Sequence, residues 1–140
     1  MAFGIGGRGK LAKFETLLTG DFSELVSVVD SGILQASSSA SFEDGSYFST
    51  DSLNIAVRVY ERYSWFGQNR VSMTVTFIGQ GNQLYFSAIT SGGSQAVYFK
   101  LNTVGEETFL ETVVQVIKQY ISTHPDSGKA QVETPNRLGN

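Results

Sequence analysis

The sequence predicts a single α+β domain, an antiparallel sheet of about five to six strands with two helices packed on one face. Three observations support this prediction. Apolar and polar residues alternate with a period of two through most of the chain, short turns rich in Gly, Asn and Asp separate these segments, and two other segments repeat their apolar residues at about 3.6 positions. Strands joined by short turns pair antiparallel, and only the two helices can cover their apolar face. The predicted order is strand, helix, strands, helix.

Length and composition set the expected limits of the domain. The chain has 140 residues, of which 41% are hydrophobic and 12% aromatic, and this is enough for one hydrophobic core. A flexible, basic, Gly-rich segment is expected at residues 1–12 and the folded domain at residues 13–121. A disordered tail that holds both prolines is expected at residues 122–140.

The first helix is expected to follow a strand over residues 13–19, with Gly20 between them. Asp21 and Glu24 have the spacing of a capping box, in which each side chain bonds an amide at the start of the helix. Gly32 is expected to end the helix. The apolar stripe comprises Phe22, Leu25, Val26 and Val29.

From Ile33 onward the period of two predicts a run of strands. Asp44 and Gly45 give the strongest hairpin signal, so a turn is expected at residues 43–45. In the next strand, Leu53, Ile55, Val57 and Val59 are expected to face the core, and Asn54, Ala56, Arg58, Tyr60 and Arg62 to face outward. The last predicted strand contains Val97, Phe99 and Leu101, and the second helix is expected to open at Thr103 with Glu106 completing a capping box.

Several stretches of sequence carry a resemblance to a known family. They are Phe14 with residues 19–22, and residues 56–63, 69–72, 88–96 and 102–107. With these stretches, residues 13–120 resemble a family of small uncharacterised bacterial domains, catalogued as a domain of unknown function. The resemblance implies a bacterial, cytosolic origin and brings no activity with it. The order of elements is similar to that of TATA-binding-protein-like and helix-grip folds, and this likeness implies no function.

Charge and composition argue against several classes of function. The net charge is -3 and the isoelectric point about 5.0, whereas nucleic-acid-binding domains cluster Lys and Arg. No apolar run is long enough for a transmembrane helix. The lack of cysteine excludes metal sites built on sulfur and is consistent with a cytoplasmic location. We expect no metal site and no cofactor.

Two features resemble catalytic motifs, but the sequence around them does not supply what such motifs need. Residues 4–9 match the G-x-G-x-x-G pattern, but the strand and helix that this motif needs on either side are not predicted. His124 is the single histidine and is expected in a polar tail, where a general base has no fixed geometry. No catalytic residue is therefore predicted.

Arg58, Tyr60, Arg62 and Arg70 are the candidate ligand-binding residues. The first three share one face of a strand by alternation, and Arg70 begins the next strand. Guanidinium groups beside a tyrosine hydroxyl can bind a carboxylate or a phosphate. The alternative is that these side chains only form cross-strand pairs, ring stacks and contacts with water.

Tyr63, Trp65 and Phe66 are the candidate interaction residues, because they cluster at the end of a predicted hairpin. If exposed, this cluster suits an oligomer contact, a partner or a membrane surface; if folded inward, it caps the core. Residues 91–94 could form an anion-binding nest, although a simple turn explains them as well.

The sequence therefore predicts a non-enzymatic binding or interaction module that self-associates through the exposed sheet or the Trp65 hairpin. The alternative is a binding protein for a small anionic or lipid-like ligand, held between sheet and helices with Arg58 and Arg62 orienting the anion. The expected partners are thus a second copy of the chain or a small anion, and neither nucleic acid nor a transmembrane segment.

Overall fold

The structure is a computed structural model that describes residues 4–8, 11–64, 69–92 and 109–124. The described strands are β1 (Gly4–Arg8), β2 (Leu11–Thr19), β3 (Ala40–Ser49), β4 (Asn54–Ser64), β5 (Asn69–Gln80) and β6 (Gln83–Gly92). The described helices are α1 (Phe22–Ala36) and α2 (Phe109–Thr123).

The six strands form one antiparallel sheet in the order β1-β2-β6-β5-β4-β3. Strands β3 to β6 follow one another as a meander, and β2 returns to pair with β6. Helix α1 packs on β3 and β5, and α2 packs on β2, β5, β6 and α1. The predicted α+β class and the predicted order of strand, helix, strands and helix are confirmed.

The N-terminal part of the chain contains a strand that the sequence analysis did not predict. Gly4–Arg8 pairs with β2, in a segment that was expected to be flexible, and β2 begins at Leu11 rather than at residue 13. The sequence did not indicate this strand because its glycines contribute no apolar side chains to an alternating pattern.

Helix α1 runs past the predicted end at Gly32 and continues to Ala36, so the strand expected from Ile33 begins only at Ala40. The buried stripe of Phe22, Leu25 and Val29 extends by one more turn to Ile33, which is fully buried. Gly32 serves the contact between the helices: a Cβ atom there would lie 2.5 Å from Cγ2 of Val116 in α2.

The hairpin expected at residues 43–45 is also wrong, because β3 continues through these residues. A β-bulge between Phe42 and Asp44 absorbs them, and the Asp44 carboxylate accepts a hydrogen bond from the Gly45 amide at 2.8 Å. The true turn follows Ser49, where the Thr50 amide bonds the Leu53 carbonyl at 2.8 Å.

Strand β4 faces the helices with the side that was expected to point outward. Ala56 and Tyr60 are buried opposite Phe77 and Met73 of β5, whereas Val57 is only partly buried on the other face. The sequence misleads here because β-branched residues suit either face of a strand. Buried residues of the helix-covered face include Phe14, Leu18, Met73, Val75, Phe77, Leu84, Phe86 and Ala88.

Several predictions fall on residues that the structure does not describe. The last predicted strand, the capping box at Thr103, most of the tail at 122–140, Trp65 and Phe66 lie outside the described residues. Among the described residues, no helix is both long enough and apolar enough to cross a lipid bilayer.

Candidate functional site

Arg58 and Tyr60 of β4 form a hydrogen-bonded network with Asp30 of α1. The Tyr60 hydroxyl donates to Oδ1 of Asp30 at 2.6 Å, and Nη2 of Arg58 donates to the same oxygen at 2.8 Å. Nε of Arg58 donates to the Tyr60 hydroxyl at 2.8 Å. This network ties α1 to β4 and fixes the guanidinium in one orientation.

Phe42 of β3 packs its ring against the Arg58 guanidinium. The guanidinium carbon of Arg58 lies 4.1 Å from the centre of the Phe42 ring, which is a cation–π distance. Burial raises the pKa of Tyr60, and its hydrogen bond to Asp30 adds to this. Burial alone would lower the pKa of Arg58, but the bonds to Tyr60 and Asp30 outweigh it and raise the pKa. The guanidinium is therefore charged at all physiological pH values.

An open groove of about 410 Å³ runs beside this network, between α1 and the two strands β3 and β4. Its lining includes Phe22 of α1, Phe42, Asp44 and Tyr47 of β3, and Arg58. The Phe22 and Tyr47 rings lie 6.2 Å apart at an angle of 48°. The groove thus combines aromatic walls with one fixed cation, Arg58, and one carboxylate, Asp44.

The other two predicted ligand-binding residues lie apart from the groove. Arg62 is on the same sheet face as Arg58 but pairs with Ala40 and Val71 nearer the far end of β4. Arg70 is on the opposite face, where it binds Glu61 at 3.1 Å. The structure therefore brings together Arg58 and Tyr60 but not all four residues.

Asp30 and Phe42 are site residues that sequence reasoning missed. Neither residue belongs to a sequence pattern that predicts a binding site. Asp30 does sit on α1 four residues after Val26, a groove residue, but no local pattern links it to β4. Only the tertiary packing of α1 on the sheet brings them together.

The face of the sheet opposite the helices is a second candidate surface, which we call the open face. An apolar row crosses five strands on it, since each member is the direct partner of the next in the register. The row consists of Leu17, Tyr85, Ile78, Ile55 and Phe48. Each is partly exposed, and Phe48 at the β3 edge is 59% exposed. Neither described helix packs on this face.

Among the described residues, two ion pairs lie on the open face. Lys13 and Glu15 of β2 are 3.7 Å apart, and Arg70 of β5 binds Glu61 of β4. The Tyr85 hydroxyl donates to Glu15 at 2.9 Å, while burial and this bond raise the pKa of Tyr85. Tyr63 lies on the same face and is 38% exposed, whereas its predicted neighbours Trp65 and Phe66 lie outside the described residues.

His124 follows α2 directly and is held against both helices. Nε2 lies 2.7 Å from Oε1 of Glu24, Nδ1 lies 2.8 Å from the Tyr120 carbonyl, and the ring stacks on Tyr120 at 3.9 Å. The Tyr120 hydroxyl in turn accepts the Asp21 amide at 3.1 Å. The structure thus places His124 in a helix-to-helix contact, where both ring nitrogens are engaged. In the part of the chain that the structure describes, no group of acidic residues and histidine could hold a metal ion.

The fold and these surfaces define a small α+β domain whose antiparallel sheet carries helices on one face. A family model described as a family of unknown function (DUF6054) matches residues 11–121. Because the match spans most of the chain, the chain belongs to this family, and the family resemblance found in the sequence is confirmed. No curated protein matches the chain.

Proposed function

We propose that this chain is a non-enzymatic interaction module that self-associates through the open face of its sheet. The observation that carries this proposal is the apolar row across five strands, which no described helix covers. Exposed apolar rows of this kind are typical of protein contacts, because burying them removes apolar surface from water.

Charge supports a second copy of the chain as the partner. In strands β2, β4, β5 and β6, the charged residues of the open face are two cations and two anions, paired as Lys13 with Glu15 and Arg70 with Glu61. Two such faces can approach without net repulsion. The acidic residues Glu43 and Asp44 belong to the edge strand β3, and Asp44 lines the groove beside α1.

The size of the open face supports the same partner. Four strand spacings of about 4.8 Å and eight residues at about 3.3 Å give roughly 500 Å² in projection, before the relief of the side chains is counted. A stable interface buries about 800 Å² of accessible surface on each partner. The open face is therefore of the order of size that a dimer requires.

A double variant of the apolar row tests this proposal. Phe48→Ser with Ile78→Thr removes apolar surface from two strands while keeping residues that a sheet tolerates. We expect this variant to shift the protein from oligomer to monomer in size-exclusion chromatography with light scattering.

The control is Val28→Thr, because Val28 is an exposed apolar residue, at 37%, on α1 and away from the open face. We expect it to leave the oligomeric state unchanged. An unaltered mass for the double variant, or an equal loss in the control, would falsify the proposed surface.

A bacterial, cytoplasmic setting belongs to this proposal. The cytoplasmic part rests on the cysteine-free composition, which suits a reducing compartment, and the bacterial part rests on the resemblance described for the sequence. Fractionation of cells that express the chain tests the setting, with the protein expected in the cytoplasmic fraction.

A further inference from the structure

We propose that the groove between α1 and β3 binds a small planar carboxylate, with its carboxylate on Arg58 and its ring against Tyr47. The groove lies on the helix-covered face of the sheet, opposite the open face. This binding site is therefore separate from the proposed self-association surface, and the two can be tested independently.

Arg58 presents one unused edge of its guanidinium. Nε and one hydrogen of Nη2 bind Tyr60 and Asp30, and among the described residues no acceptor bonds Nη1. Nη1 and the second hydrogen of Nη2 form the end-on fork that takes a carboxylate through two parallel hydrogen bonds. Since Tyr60, Asp30 and Phe42 already fix the guanidinium, a ligand loses little affinity in ordering it.

The aromatic lining of the groove favours a ligand whose carboxylate is attached to a flat ring. Tyr47 is 66% exposed and can offer its ring to a bound molecule. Phe42 is 42% exposed, with the Arg58 guanidinium over one face of its ring, and Phe22 lines the groove from α1. Aromatic rings favour flat partners at stacked or tilted geometries. The groove volume of about 410 Å³ is enough for a single ring with its carboxylate.

Asp30 reduces the net positive charge that an anionic ligand meets at Arg58. Its carboxylate lies 2.8 Å from Arg58 and offsets the positive charge, and Asp44 adds a second carboxylate to the groove lining, so long-range attraction of an anion is weak. Selectivity for a carboxylate then depends on the two directed hydrogen bonds of the fork and on ring stacking. We accordingly expect modest affinity and only a slight dependence on salt.

The test is a titration of the full chain with benzoate, followed by the backbone amide signals in NMR spectra. We expect saturable shifts confined to residues 22–26 and 42–47, which border the groove. Benzamide, which has the same ring without the charge, is expected to bind at least about fivefold more weakly, since hydrogen bonds to a charged acceptor are the stronger ones.

Two variants separate the roles of cation and ring. Arg58→Gln is expected to abolish the benzoate shifts, and the control Arg70→Gln, on the opposite sheet face, to preserve them. Because Arg58→Gln leaves Asp30 without its cation, Tyr47→Ser serves as a second variant that keeps the network intact. We expect it to weaken benzoate binding severalfold by removing the ring stack.

The proposal is overturned if benzoate shifts no groove amide, if benzamide binds equally well, or if both arginine variants behave alike. A monomeric protein that still binds benzoate in the groove would refute self-association and support this site. An oligomeric protein that shows no benzoate shifts would support self-association and refute this binding site.

Discussion

At the scale of single residues, Arg58, Tyr60 and Asp30 form the network that joins β4 to α1. Alternation correctly placed Arg58 and Tyr60 on one face of a strand, because the period of side chains in a strand is fixed. It could not predict which face the helices cover, nor that Asp30 would receive both donors. That pairing depends on how α1 sits over β4, which no local pattern encodes.

The buried hydroxyl of Tyr60 predicts a pH dependence of stability. Burial raises its pKa in the folded state, so the unfolded chain loses this proton first, near pH 10. The contribution of Tyr60 to the free energy of unfolding is therefore complete below about pH 10 and declines as the pH rises further. Denaturant unfolding measured between pH 8 and pH 11, a range of about three units around that value, should show this decline.

Tyr60→Phe is expected to reduce the alkaline decline and to cost about 1–2 kcal/mol at neutral pH, because Asp30 and Arg58 each lose a partner. Tyr47→Phe is the control, since the Tyr47 hydroxyl is exposed and bonds only Asn54 among the described residues. If both variants keep the wild-type pH dependence, the buried hydroxyl has no such role.

At the scale of elements, the predicted N-cap of α1 was confirmed, whereas the second bond of the capping box and the predicted C-terminal end of the helix were wrong. The Asp21 carboxylate accepts the Glu24 amide at 2.8 Å, as the spacing indicated. The return bond of a capping box is replaced, since the Asp21 amide bonds the Tyr120 hydroxyl and Glu24 contacts His124. Gly32 resembles a helix terminator in sequence, but its true role is a close contact with α2.

Gly32→Ala tests this contact between the helices. Alanine favours a helix over glycine by about 1 kcal/mol, but the added Cβ would lie 2.5 Å from Val116. We expect the steric term to dominate and the free energy of unfolding to fall by about 1–3 kcal/mol. Thermal unfolding of the variant measures this change.

Ser31→Ala is the matched control, because Ser31 is an exposed neighbour on the same helix. We expect it to be neutral or slightly stabilising. Adding Val116→Ala to Gly32→Ala should restore part of the lost stability, since it removes the contacting methyl groups. A stabilised Gly32→Ala protein would show that the helices do not meet closely there.

At the scale of the whole molecule, the fold class and the order of elements were predictable, and the functional surfaces were only partly so. Periodicity and capping residues suffice for an antiparallel sheet with two helices, because these signals are local. The bulge in β3, and which side of β4 faces the helices, are not set by local sequence signals. Both depend on pairing with neighbouring strands. The apolar row is likewise visible only when five strands are aligned in register.

The central claim, that two copies meet through the open face, is tested most directly by intermolecular NMR contacts. A sample that mixes isotope-labelled and unlabelled chains reports only contacts between copies. We predict intermolecular cross-peaks from the methyl groups of Leu17, Ile55 and Ile78. Cross-peaks from Val28 and Leu34 of α1 instead, or no intermolecular cross-peak at concentrations where the chain is oligomeric, would contradict the claim.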